Sequence, residues 1–312
     1  MPLLSAKTFG DPLSALLLLK RTYKNWFEII ADYSARKPLT QALLRDGRSI
    51  PLDRRPSSLL SSLRHYHRWY DPSIYNLIGL ARLLGKGWKI KEVNPEYLFL
   101  SHETSTVIKC RLNQGTDISL IGEIFIREVY GSDFQDKTIV DVGAYTGDSA
   151  IYFAKKGARL VIGLEPDPRN YQLATENIGL NSLEEKVKLV NLAISVAGES
   201  SRLGLNTETP NITQFTDSDD SVHVATITVE GVMQQFGLNR IDVLKMNCEG
   251  CEYGVIRNMS PETLASIREI LLEFHTGPRD LPSILSKQGF NVSIRGGTLG
   301  YITAKRAVQP NA

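Results

Sequence analysis

The amino-acid sequence predicts an α/β protein: a mostly parallel sheet with helices on both faces, preceded by a mainly helical N-terminal extension. Three observations predict it. From residue 137 onward, short apolar runs alternate with stretches of helical period, the pattern of strand–helix–strand units. The last two runs, "FNVSIRG" and "GYITAKR", are separated only by a short glycine-rich turn, so the final strand pair is antiparallel. The first third shows helical spacing and hairpin signals without that alternation. The expected division is an extension over residues 1–110, an α/β domain over 111–306 and a tail over 307–312.

Each element follows from its own pattern. Residues 12–35 read as one amphipathic helix, with Leu16, Leu19, Tyr23, Phe27 and Ile30 at helical spacing and Lys20, Arg21 and Lys24 interspersed. "LLRDGRSIPL" sets Asp46-Gly47 between apolar flanks, a hairpin signal. Residues 57–86 return to a helical pattern, with His65 and His67 too isolated to suggest a metal site. "YLFLSHETSTVIKCRL" reads as two strands around a polar turn, and "ISLIGEIFIREVYG" as a helix ending near Gly131. "TIVDVG" opens the α/β domain as a buried strand, followed by a helix that Gly157 ends and a second strand, "RLVIGLEP". "DPRNYQLATENIGLN" is a helix capped by Asp167, with Pro168 in its first turn. A third strand, "KVKLVNLAIS", precedes a polar stretch over 197–222. A short strand, "VATITV", a short helix, "EGVMQQFG", the strands "IDVLKMN" and "IREILLEFH", and the helix "LPSILSKQG" lead to the terminal pair.

Composition narrows the classes. At 42% hydrophobic over 312 residues the chain can bury a substantial core. Three cysteines, Cys110, Cys248 and Cys251, are too few for a disulfide framework, so a reducing, cytoplasmic setting is expected. The longest apolar stretch, Leu13–Leu19, falls far short of a membrane span, and no basic segment precedes it as in a secretory signal. Charge is uneven: residues 1–110 carry 17 Lys+Arg against 9 Asp+Glu, whereas the remainder carries 19 against 25. Without a dense basic run this favours a basic face docked on a less basic domain over nucleic-acid binding. Trp26 and Phe27 beside Lys24 make residues 12–35 the candidate for peripheral membrane contact.

Ligands of such sheets sit beyond the carboxyl ends of the strands, and "DVGAYTGDS" lies at the first such end. The dinucleotide motif G-x-G-x-x-G fails because Tyr145 stands where its second glycine belongs, and no Gly-Lys-Ser/Thr comes after it for a phosphate loop. A carboxylate at Asp141 would repel a pyrophosphate and suit a cationic nucleoside such as S-adenosylmethionine. Gly143 and Gly147 would let the backbone approach that ligand closely. Glu165, at the end of the second strand, is placed to accept both ribose hydroxyls.

These residues resemble the FkbM family of S-adenosylmethionine-dependent methyltransferases. The matching stretches, in family order, are "IVDVGAYTGDSAIYFAKKGA", "VIGLEPDPRNYQLATENIGLN", "VKLVNLAIS", "IDVLKMNCEGCEYGVI" and "ILLEFH". The resemblance implies a Rossmann-like class I methyltransferase sheet and methyl transfer to an oxygen, often of a sugar or glycan. It assigns the cofactor to Asp141, Gly143, Ala144, Tyr145, Gly147, Glu165, Pro166, Leu192 and Ala193. Within "KMNCEGCE" it places Asn247 where the family usually has aspartate, and Glu230 departs in the same way.

The Asn247 departure bears on chemistry, because an amide cannot act as a base at neutral pH. Proton removal then falls to Glu249, or to His275 at the end of the "LEFH" strand. Cys248 and Cys251 form C-x-x-C at a strand–helix junction, but flanking acids would raise a thiol pKa and further zinc ligands are lacking. No redox or metal role is therefore expected for them. The expected function is O-methylation of a sugar, glycan or small-metabolite hydroxyl. The alternatives are an RNA methyltransferase or a catalytically inactive cofactor-binding scaffold.

Overall fold

The computed structural model describes residues 12–35, 37, 39–52, 72–112, 117–196, 203–205, 215–216 and 222–306. The tail over 307–312, the 64–70 segment with His65 and His67, and most of the 197–222 polar stretch lie outside these residues. Two compact units meet in sequence between Val129 and Tyr130.

In the first unit the expected single helix over 12–35 is two, α1 (Pro12–Thr22) and α2 (Trp26–Ser34). The cause is tertiary. Tyr23 bridges Leu44, Lys24 N–H donates to the Leu43 carbonyl at 2.7 Å, and Asn25 Oδ1 accepts from Leu43 N–H at 2.8 Å. Residues 23–25 thus bond to the hairpin β1 (Gln41–Leu43) and β2 (Ser49–Pro51), which pairs as its Asp-Gly turn predicts. Leu13, Leu17 and Phe27 are exposed. No helix among the described residues is long and apolar enough to cross a membrane.

Helix α3 (Pro72–Leu84) leads to an antiparallel sheet of β3 (Lys89–Val93), β4 (Tyr97–His102) and β5 (Thr106–Arg111). The last two are the expected pair. β3 escapes the sequence because "KIKEV" buries only Ile90 and is bulged between Ile90 and Glu92. Helix α4 (Asp117–Ile121) starts on a buried ion pair, Arg111 Nε to Asp117 Oδ2 at 2.9 Å. It passes into a π-helical turn at Gly122–Ile126, so it ends short of Gly131.

The second unit opens with β6 (Thr138–Val142), α5 (Asp148–Lys155), β7 (Leu160–Leu164), α6 (Pro168–Leu180) and β8 (Val187–Val190). Asp167 caps α6 by accepting from Arg169 N–H at 2.8 Å. The third expected strand divides at this point, because β9 (Ala193–Ile194) leaves β8 for another partner. A small antiparallel sheet comes next, made of β10 (Leu203–Leu205), β11 (Phe215–Thr216) and β12 (Val222–Val224). β13 (Thr226–Ile227) is the partner of β9, and α7 (Val229–Gln235) is the expected short helix. The chain then returns to the main sheet with β14 (Ile241–Met246), helix α8 (Cys251–Asn258), β15 (Ile267–Phe274), β16 (Phe290–Gly296) and β17 (Gly300–Arg306).

The main sheet has seven strands in the spatial order β16-β17-β15-β14-β6-β7-β8. Pairings from β8 through β15 are parallel, and β17 runs antiparallel to both neighbours. This is the predicted Rossmann-like class I methyltransferase sheet. β6 is buried along its whole length, as a central strand covered on both faces must be.

Candidate active site

Strand order reverses between β6 and β14, which puts the loop Gly143–Gly147 at the switch point where such sheets bind ligands. Lys245 on β14 is the in-register neighbour of Asp141. Its Nζ lies 2.8 Å from Asp141 Oδ1 and donates to the Gly143 carbonyl at 2.8 Å. The Ser149 hydroxyl donates to Asp141 Oδ2 at 2.6 Å. Asp141 is fully buried. This corrects the expectation of a free carboxylate facing a cationic ligand. Lys245 answers the charge inside the fold, and the pair anchors the loop beyond β6.

The two glycines also serve packing. Gly143 has φ +75°, and a Cβ there would collide with the Asn247 carbonyl. Gly147 has φ +81°, and a Cβ there would lie 3.2 Å from Ala174 Cα. The expectation is that they admit a ligand; in the structure their close partners are a neighbouring loop and helix. Ala144 is buried, and its N–H donates to the Leu164 carbonyl at 3.0 Å.

Tyr145, at φ +49°, turns its N–H onto Glu165 Oε2 at 2.9 Å. Glu165 Oε1 accepts from Asp167 N–H at 2.8 Å. Burial pushes the Glu165 carboxyl up to about 7 against these donors. Oε1 also accepts a long bond from Asn170 Nδ2 at 3.5 Å, whereas Oε2 accepts from Tyr145 N–H, so the carboxylate has acceptor capacity left for a ligand hydroxyl, chiefly at Oε2. Asn191 Nδ2 donates to the carbonyls of Glu165 at 2.8 Å and Pro166 at 3.0 Å, fixing that turn. Leu192 is half-buried beyond it, whereas Ala193 is buried in β9.

On the other side of the switch point, Asn247 joins the two halves. Its N–H donates to the Val142 carbonyl at 3.1 Å, and its Nδ2 donates to Glu273 Oε2 at 2.9 Å. His275 Nε2 lies 3.5 Å from Glu249 Oε1 and 3.8 Å from Glu273 Oε1. The three candidate catalytic residues therefore share one cluster at the ends of β14 and β15. Burial holds the His275 imidazole below its ordinary value. Burial, and then the Glu252 charge, raise Glu249 to about 7. Two buried atoms of the cluster have no hydrogen-bond partner among the described residues, Asn247 Oδ1 and His275 Nδ1.

Glu252 is structural. Fully buried in α8, it accepts from Cys248 N–H and Gly250 N–H, each at 2.8 Å. Cys248 and Cys251, expected to be without redox role, are joined in a disulfide. Among the described residues no group of three or more His, Cys, Asp or Glu is arranged to hold a metal ion.

Sequence reasoning missed Lys245, Ser149, Asn191 and Glu273. Lys245 and Glu273 did leave a signal: each is a charge inside an otherwise apolar strand, where a buried ion needs a partner.

The sheet order and the site together define a methyltransferase domain, and S-adenosylmethionine is its methyl donor. More particularly, the model of the methyltransferase FkbM domain matches residues 141–292. The AMB antimetabolite synthetase AmbE of Pseudomonas aeruginosa is 27% identical over 229 residues, covering 57% of this chain and 11% of its own. This chain thus spans about a tenth of that protein's length. Methyltransferase sdnD of Sordaria araneosa is 22% identical over 191 residues, covering 50% of this chain and 74% of its own. Magnesium protoporphyrin IX methyltransferase of Synechocystis PCC 6803, solved with S-adenosylmethionine bound, is 13% identical at a TM-score of 0.36, over 60% of this chain and 78% of that one.

Proposed function

We propose that the protein methylates a hydroxyl oxygen on a sugar, glycan or small metabolite, with His275 taking the hydroxyl proton. The observation that carries this reading is the pair of unpartnered buried atoms, Asn247 Oδ1 and His275 Nδ1, in one cluster. Buried polar atoms in folded proteins are nearly always paired, so an orphaned pair beside a donor loop suits a substrate's polar groups.

The residues divide the work. Glu165 accepts from the ribose hydroxyls, beside Tyr145, Pro166 and Leu192. S-adenosylmethionine supplies an electrophilic methyl group for in-line displacement by an oxygen held close to it. The carboxylates of Glu249 and Glu273 lie on the Nε2 side of His275 and favour the tautomer protonated there. Nδ1 is then the free lone pair, and a neutral imidazole can accept the hydroxyl proton. Ionised Glu249 stabilises the imidazolium that results. Asn247 Oδ1 orients a donor group, while its amide holds Glu273. Asparagine at 247 therefore leaves proton transfer intact, which favours an enzyme over an inactive scaffold.

His275→Gln should lower kcat by about 10²- to 10⁴-fold while leaving donor affinity unchanged. The wild-type rate should rise with pH as His275 loses its proton, below 6.5, and again as Glu249 ionises near 7. A radiolabelled-methyl screen over glycans, lipids, RNA and small metabolites identifies the acceptor class. Label appearing in RNA alone would replace the sugar reading with the nucleic-acid one.

A further inference from the structure

We propose that Cys248 and Cys251 are a redox-active pair that sets the geometry of the loop carrying Asn247 and Glu249. The meaning of the pair for catalysis rests on the proposed hydroxyl methylation, but its existence does not. The two Cα atoms lie 5.5 Å apart, within the span of a disulfide, and the sulfurs are bonded. Both residues are only partly buried, so a small dithiol can reach them. Cys251 is the first residue of α8, where the helix N-terminus favours a thiolate and opposes the effect of the flanking acids Glu249 and Glu252. The third cysteine, Cys110, is a buried thiol in the other unit.

The cross-link brackets just two residues, Glu249 and Gly250. Both have positive φ, +57° and +117°. Glycine adopts such a conformation freely, whereas glutamate is held there against its preference. The disulfide restrains that backbone and keeps the Glu249 carboxylate 3.5 Å from His275 Nε2. The bonds from Cys248 N–H and Gly250 N–H to Glu252 hold the same turn from its backbone side. Neither bond is made by Glu249 itself, so reduction removes the one covalent restraint on its left-handed conformation and lets its carboxylate withdraw from His275.

The step is a two-electron exchange with a small dithiol. Its thiolate attacks one sulfur of the Cys248–Cys251 bond and forms a mixed disulfide. Its second thiol then displaces the protein sulfur, leaving two cysteine thiols and the oxidised, cyclised reagent.

The test uses the full chain equilibrated in graded mixtures of reduced and oxidised dithiothreitol. Alkylation and mass measurement after unfolding should count one free thiol in the oxidised protein and three in the reduced. The two should interconvert reversibly. The NMR titration of the His275 ring should shift between the two states. Methyl transfer should fall about ten- to a hundredfold on reduction, with donor affinity unchanged. Cys251→Ser should behave as the reduced protein under all conditions. Three thiols in every oxidising mixture would overturn the proposal. So would a disulfide that forms while His275 titrates identically in both states. If no acceptor is ever methylated, the functional reading fails, and thiol counts and ring titration still decide the redox one.

Discussion

At the scale of single residues, the contacts that matter most join distant parts of the chain, and the sharpest case is Asp141 with Lys245. Each is buried, 0% and 2% exposed, and each is the other's charge partner at 2.8 Å. Removing one member of such a pair strands the other without water, which costs about 3–5 kcal/mol, more than the pair contributes over a well-packed apolar replacement. Lys245→Met should therefore destabilise the protein by about 3–5 kcal/mol in urea unfolding, and adding Asp141→Asn should recover much of that loss. A double variant as unstable as the single would refute the pairing. The same two residues mark where sequence reading stops. Asp141 was legible as a residue of the candidate site, though not as a buried anchor, and its partner was not, because register between β6 and β14 joins positions far apart in sequence. Glu165 was legible as a strand-end acid of the site. His275 and Glu249 were legible as candidates, but only folding reveals Glu273 between Asn247 and His275.

Elements repeat the pattern: local chemistry predicts where they form, and tertiary bonds decide where they break. The strands and helices from β6 to α6 lie where apolar runs, Gly157 and the Asp167 cap put them. The helix predicted over 12–35 breaks because residues 23–25 find better partners in the hairpin than in a continued helix. β3 was illegible because a charged edge strand has almost no apolar alternation to detect. The loop after β6 is the element on which the proposed function turns. Its Gly143 is pressed against the Asn247 carbonyl at a φ that disfavours any side chain. Gly143→Ala must push the donor loop and the Asn247 loop apart, so it acts on both substrates at once. Donor affinity and kcat should both fall, the latter by more than about tenfold, whereas Gly237→Ala, at a positive-φ site open to space, should spare both. Calorimetric donor binding unchanged in Gly143→Ala would show that the two loops are independent.

Across the whole molecule, the two units allow the donor's site to be found by stability alone. A ligand that binds only folded protein stabilises it by about 2.7 kcal/mol at a hundredfold excess over its Kd. For a unit of this size that corresponds to a rise of about 5–10 °C in Tm. Every residue placed around the donor lies in the unit that begins at Tyr130. If the units unfold separately, only one of two calorimetric transitions should therefore move with S-adenosylmethionine, and NAD or ATP should move neither. The shift should also depend on pH, with a sign that Glu165 dictates. Its carboxyl is raised to about 7 by burial, so below that pH it carries a proton on one oxygen. Two ribose hydroxyls are best accepted by the ionised form, so binding favours loss of that proton and affinity must climb as pH rises through about 7. The donor-induced rise in Tm should thus be smaller at pH 6 than at pH 8, and Glu165→Gln should show a small, pH-independent rise. A shift equal at both pH values in the wild type would place the ribose elsewhere and leave Glu165 as a brace for the Tyr145 turn.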